Sequence, residues 1–174
     1  RFLATVALWL VPALGSAQVL PVEHWNFDAT SGSMVGIVNG HTLVEQVATF
    51  TSVAGKIINA RDAEATSTVY AQATDHADLS GGNRTFGGIL WHKPETVSGV
   101  IADHGWQAAS DSNRAWILWY NTTSTVRFTM QNGGFVRDLT SSSPSITTGA
   151  WFRICWWYDA NTDLMNLKIN NGTT

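Results

Sequence analysis

The chain of 174 residues carries a single cysteine, Cys155. One thiol excludes an internal disulfide and any zinc site built from several cysteines. Charge is scarce as well: 13 % of residues are Asp, Glu, Lys or Arg, against about 25 % in an average soluble protein. Ten basic residues stand against thirteen acidic ones, for a net charge of −3, and the bases form no run. Nucleic-acid binding needs a Lys/Arg footprint, so no nucleic-acid partner is expected. Long amphipathic helical patterns, linkers and internal repeats are absent from the sequence. No apolar run reaches the roughly 20 residues that a membrane-spanning helix needs. What the chain does have is 44 % hydrophobic residues and nine tryptophans. That is enough for one sizeable core and argues against wholesale disorder.

The N-terminus reads as export machinery. Phe2 to Leu14 is apolar except for Thr5, and the small residues Gly15-Ser16-Ala17 follow. This suits the hydrophobic core and cleavage site of a signal peptide. The expectation is a signal peptide over 1–17, short of part of its basic region, and a mature domain over 18–174. The competing reading is a buried N-terminal strand or helix. No cysteine follows the cut, so a lipoprotein anchor is not indicated. Export places the protein outside the cell or in a periplasm. At the other end, Asn171-Gly172 is a hairpin-turn signal after a strand-like run. The returning strand would lie past Thr174, so the domain is expected to be incomplete at its C-terminus.

Between these ends, apolar residues alternate or cluster in short runs punctuated by Gly, Ser, Asn and Asp. Strands are expected at His24 to Phe27, Leu43 to Phe50, Phe86 to Lys93, Gly99 to Asp103, Ala115 to Tyr120, Val126 to Met130, Phe135 to Leu139, Trp151 to Tyr158 and Leu164 to Asn170. Asn59 to Leu79 reads as mostly β, with one helical turn near Asp75 to Leu79. Strands so closely spaced imply an all-β antiparallel sandwich. In the last run Met165, Leu167 and Ile169 share one face, and Asn166, Lys168 and Asn170 the other. Ile154, Trp156 and Tyr158 oppose Arg153, Cys155 and Trp157, so that strand is expected to be central and covered on both sides.

Four segments, in order, resemble the laminin-G-like domains of the concanavalin A-like lectin/glucanase superfamily, in particular bacterial and metagenomic members. His24-Trp25-Asn26-Phe27-Asp28 with Ser31-Gly32 is similar to the opening W-x-F-D-x-x-x-G strand. Gly55-Lys56-Ile57-Ile58-Asn59-Ala60 is similar to G-K-x-G-N-A. Phe86-Gly87-Gly88-Ile89-Leu90-Trp91-His92-Lys93-Pro94 resembles F-T-x-x-x-W-V-K. Trp151 to Asp159, followed by Leu167-Lys168-Ile169-Asn170-Asn171-Gly172, resembles W-x-x-x-x-x-x-Y-D … L-x-V-N-x-G. Ile58 and His92 depart from the pattern. The resemblance implies a two-sheet antiparallel jelly roll whose C-terminal strands are missing here. It places Trp25, Trp91, Trp151 and Trp156 at core positions.

The glucanases of that superfamily carry E-x-D-x-E or E-x-D-x-x-E on one strand, which holds the paired carboxylates that glycoside hydrolysis needs. No such run exists: Asp62 and Glu64 lack a third acid, and Asp75 and Asp78 fall in a turn. Cys155 sits in a Trp-rich strand and reads as a small buried hydrophobe. Asp159-Ala160-Asn161-Thr162-Asp163 spaces oxygen ligands as a calcium loop does, but Leu164 and Asn170 occupy the positions that need Gly and Glu. That excludes the EF-hand reading, and a plain hairpin turn is the reading favoured for the run. Some laminin-G-like domains bind calcium through acids on separate loops, which makes Asp28, Asp103 and Asp159 the calcium candidates. Trp106, in the polar stretch Asp103-His104-Gly105-Trp106-Gln107, is the ligand candidate together with His104 and Asp103, since an exposed indole stacks on a sugar ring. The function expected is a secreted, non-catalytic recognition module for glycans or cell-surface ligands, one that further domains could accompany. A structural or adhesive module of a virion or cell surface is the alternative, and a glycoside hydrolase is the third.

Overall fold

The computed structural model describes residues 23–28, 32–46, 50–56, 59–62, 70–74, 76, 85–104, 115–121, 124–132, 135–142 and 145–170. The leader-like stretch, Trp106, the Asn171-Gly172 turn and, apart from His76, the helical turn at 75–79 lie outside them. The described residues hold twelve strands and no helix, so no helix among them is long and apolar enough to cross a membrane. The strands are β1 (Met34–Val35), β2 (Thr42–Gln46), β3 (Thr51–Ala54), β4 (Asn59–Asp62), β5 (Tyr70–Ala73), β6 (Phe86–His92), β7 (Val100–His104), β8 (Ala115–Asn121), β9 (Thr125–Asn132), β10 (Phe135–Thr140), β11 (Phe152–Asp159) and β12 (Leu164–Asn170). All their pairings are antiparallel.

Two sheets form the body of a β-sandwich. One has the order β10-β9-β8-β7 and the other β12-β11-β6. Alternation along each strand sends one set of side chains between them. Leu118, Tyr120, Val126, Phe128 and Met130 come from the four-stranded sheet, and Phe152, Ile154, Trp156, Tyr158 and Ile169 from the three-stranded one. Ile146, 2 % exposed, plugs one end, with its N–H donated to the Ser124 carbonyl at 2.7 Å. A bulge between Val100 and Ala102 lets Ile101 and Ala102 both pack on the core. A three-stranded sheet β1-β2-β5 and the pair β3-β4 complete the described structure.

The expected centrality of Trp151 to Tyr158 is met, since β11 lies between β12 and β6. Its core face is fully buried, whereas Cys155 and Trp157 on the other side are half-buried and Arg153 is exposed. Coverage is therefore one-sided. Trp156 is core, 6 % exposed, but Trp25, Trp91 and Trp151 are only half-buried. Trp91 pairs with Arg153, which puts it on the outer face. Phe86, Gly88, Leu90 and His92 are the residues of β6 that face the core, because they oppose Tyr158, Trp156, Ile154 and Phe152.

Adjacent glycines in β6 serve the adjacent tryptophans of β11. A Cβ on Gly88 would lie 2.5 Å from two ring carbons of Trp156. A Cβ on Gly87 would lie 2.6 Å from the Trp157 Cβ and overlap the Trp156 carbonyl. The polar groups inside the sandwich are less well served. Tyr120 Oη and Trp156 Nε1 are buried without a hydrogen-bond partner among the described residues. The His92 ring lies tilted against Tyr120, centroids 5.8 Å apart, and burial pushes its imidazole down to about 4. Burial likewise pushes the Tyr120 phenol up.

Along one edge, β10 is clasped to the β11–β12 loop. Arg137 Nη2 meets Asp163 Oδ2 at 2.7 Å and Arg137 Nη1 donates to the Asp163 carbonyl at 3.2 Å. Tyr158 Oη donates to Asp163 Oδ1 at 2.7 Å. Asp163 adopts φ 57°, a left-handed conformation that aspartate tolerates better than most residues. Away from the sandwich body, the Glu23 carboxylate accepts N–H groups from His24, Val38, Asn39 and His41 at 2.9–3.4 Å. Burial alone would raise its pKa, but these four donors hold it down at about 2.

Candidate functional site

The outer faces of the two core sheets are the flat surfaces that the sandwich presents. On the four-stranded sheet the register aligns Asp103, Ile117, Thr129 and Asp138 in one row across the strands, with Trp119 and Arg127 in the next. Trp119 Nε1 donates to Thr129 Oγ1 at 3.1 Å, and Thr129 Oγ1 donates to Asp138 Oδ1 at 2.5 Å. Arg127 lies 5.1 Å over the Trp119 ring and 3.6 Å from Asp138 Oδ2. Thr129 and Ile117 are buried, 3 % and 7 % exposed. The indole N–H, the hydroxyl and the carboxylate of this network are turned on one another, while Arg127 Nε is buried without a hydrogen-bond partner among the described residues.

The three-stranded sheet is different. Its outer face carries Gly87, Ile89 and Trp91 from β6, Arg153, Cys155, Trp157 and Asp159 from β11, and Leu164, Asn166, Lys168 and Asn170 from β12. Ile89 is 71 % exposed, Arg153, Lys168 and Asn170 are exposed, and Trp91, Trp157 and Asn166 are half-buried. Lys56, from the β3–β4 connection, reaches over the Trp91 ring at 5.5 Å, and the Arg153 guanidinium lies 5.9 Å from the same ring. Such contacts steer a cation without neutralising it. With the Asn170 amide turned so that both its ends are satisfied, its oxygen accepts from Arg153 Nη2 at 2.6 Å and its nitrogen donates to the Ile169 carbonyl at 3.2 Å. Asp159 is the acid among these residues. Backbone and hydroxyl donors from Asn161, Thr162 and Thr85 engage it and hold its carboxyl below the usual range.

This face combines indole surface, aliphatic surface, amides and cations on a rigid sheet. Those are the groups that bind a sugar, since rings stack on its C–H faces and amides and cations take its oxygens. Rigid strands hold them at fixed spacing.

The residues singled out in the sequence are placed as follows. Asp103 and His104 are consecutive on β7 and so point to opposite sides: Asp103 pairs with Ile117 on the outer face, His104 with Trp116 on the core side. Burial pushes the Asp103 carboxyl up, and His104 pulls it partly back. Trp106 is outside the described residues. Asp28 follows Trp25 in a turn, where its N–H donates to Asn26 Oδ1 at 2.8 Å, and Asp159 ends β11. The three calcium candidates thus sit on separate elements. No group of three or more His, Cys, Asp or Glu among the described residues could hold a metal ion. Sequence reasoning passed over Lys56, Trp91, Arg153, Trp157 and Lys168 as a set. The available signal was the second apolar face of the Arg153-Cys155-Trp157 alternation. No protein-family model, curated protein or solved structure matches the chain.

Proposed function

We propose that the chain is an exported, non-catalytic recognition module that binds glycans or other cell-surface ligands through the outer face of its three-stranded sheet. The observation that supports this is the convergence of Trp157, Trp91, Ile89, Arg153, Asn166, Lys168 and Asn170 on one flat and largely open surface. The export signal read at 1–17 and the missing E-x-D-x-E run support the remainder of the reading. The test is a glycan array followed by calorimetric titration of the full chain and of Trp157→Ala. Binding that weakens in the variant, without reducing-sugar release from the bound glycan, is the expected result. Folded protein that binds no glycan, or that hydrolyses one, overturns the reading.

A structural or adhesive role without a sugar site is the second reading. It is favoured by Phe135 and Val136, 80 % and 57 % exposed, on the edge strand β10. An open strand edge with apolar side chains can accept another chain.

A further inference from the structure

The sheet β1-β2-β5 carries a pair of histidines that the recognition reading does not use. His41 stands immediately before β2 and His76 three residues past the end of β5, and the antiparallel register Leu43↔Ala73 brings those two strand ends together. The imidazole centroids are 4.5 Å apart and the rings are tilted by 47°. The backbone of His41 is fixed on both sides of its Cα. Its N–H donates to Glu23 Oε2 at 2.9 Å, and its carbonyl accepts from the Gly36 N–H at 2.9 Å and from Trp25 Nε1 at 2.7 Å. His41 is half-buried and His76 is exposed, so the pair lies at the surface with one member anchored.

We infer that His41 and His76 form a binding site for a divalent transition metal ion of the copper, nickel or zinc class. This site is separate from the face read above as the recognition surface. Two imidazole nitrogens about 2.0–2.1 Å from one ion set their ring centres about 4.5–5.2 Å apart, for angles at the metal between a right angle and a tetrahedral one. The observed 4.5 Å falls at the right-angled end. A face-to-face stack would keep the in-plane lone pairs on parallel tracks, whereas a 47° tilt lets them converge. The outer torsion of histidine is broad, so each ring can turn a nitrogen to the shared point while its backbone stays in place. Coordination takes one nitrogen of each ring and leaves the other for the contacts each residue makes elsewhere. Imidazole selects these metals over calcium, a hard ion that takes oxygen ligands. No third His, Cys, Asp or Glu among the described residues joins the pair. Water supplies the remaining ligands, which keeps the ion open to a further donor. Two ligands held by one fold bind as a chelate, because the second acts at the high effective concentration that the first creates.

The experiment titrates the full chain with Cu²⁺, Ni²⁺, Zn²⁺ and Ca²⁺, by calorimetry for each and by electron paramagnetic resonance for Cu²⁺. One transition-metal ion per chain is expected at this site, held most tightly for Cu²⁺, with a copper spectrum that shows two coordinated imidazole nitrogens. Equimolar Ca²⁺ should not displace it. The affinity should fall as the pH drops, because protons compete for the ring nitrogens. His76→Gln, at an exposed position that leaves folding intact, should weaken binding about a hundredfold through loss of the chelate. His41→Phe, which keeps a ring at the anchored position, should do the same. His24→Gln, an exposed histidine on a neighbouring segment, should leave the affinity unchanged. Binding that survives His41→Phe and His76→Gln together places the metal on other groups and overturns the inference. A copper spectrum with a single coordinated nitrogen, or displacement by equimolar Ca²⁺, overturns it as well. So does a wild-type chain that takes up no more transition metal than the double variant.

Discussion

The two outer faces of the sandwich use similar residues to opposite ends. Each has a tryptophan beside an arginine: Trp119 with Arg127 on the four-stranded sheet, Trp91 with Arg153 on the three-stranded one. On the first, Thr129 and Asp138 lie within reach, so the indole N–H, the hydroxyl, the carboxylate and the guanidinium close on one another. On the second, Arg153 pairs with Trp91 and Asn170 among the described residues, and Lys56 lies over the same ring. A carboxylate in the next row turns the first pair inward on its own sheet. A hydrogen-bonded network stabilises the fold when satisfied and is costly when broken, whereas exposed charges contribute little to stability.

The core between the faces gives the scale for testing this contrast. Replacing Trp156 with Ala should cost about 3–5 kcal/mol, as for other buried large aromatics, and chemical denaturation measures it. The next effect is set by His92, whose imidazole burial pushes down to about 4 from its ordinary 6.5. Because protonation favours the unfolded chain, stability is greatest above pH 6.5 and falls as the pH drops towards 4, by about 3 kcal/mol over that window. His92→Phe should flatten the window in a pH series of thermal melts. An unchanged slope would mean that another group sets the acid limit. Glu23, lowered to about 2, acts in a separate and more acidic window: its contribution is present above about pH 4.5 and is lost as pH falls through about 2.

On the closed face, Thr129→Val should cost about 1–3 kcal/mol, because it leaves the Trp119 N–H and the Asp138 carboxylate without their shared partner. On the open face, Lys168→Gln should change stability by no more than about 0.5 kcal/mol. Denaturation midpoints for the pair decide the comparison. If the two losses are equal, the closed and open faces are not different in kind.

Much of the fold was legible because the strands obey a simple period. The β11–β12 hairpin is the clearest case: Ile154, Trp156, Tyr158 and Ile169 are all buried, as their alternation indicates. Trp91 was misplaced because Ile89-Leu90-Trp91 is apolar at every position, so no period fixes which side faces the core. The register with β11 decides it, and register is a property of two strands. Met34–Val35 and Thr51–Ala54 escaped notice because they are short and, apart from Met34, largely exposed. The candidate site was hidden for the opposite reason to the one that made Asp103-His104 conspicuous. Sequence neighbours on a strand point apart, while Lys56, Trp91, Arg153 and Lys168 come together only when three segments are laid side by side.

The paired glycines of β6 make the sandwich's tolerance to mutation conditional. Because Gly88 yields its Cβ space to the Trp156 ring, the residue allowed at position 88 depends on its partner across the strand gap, whereas the space at Gly87 is closed by main-chain atoms of Trp156 and Trp157 whatever side chains stand there. Alanine at position 88 should be harmful beside tryptophan yet nearly harmless beside a leucine at position 156, so the two substitutions would be strongly non-additive. Drift at these sites would then proceed by linked pairs, and a descendant that lost the tryptophan would shed the glycine soon after.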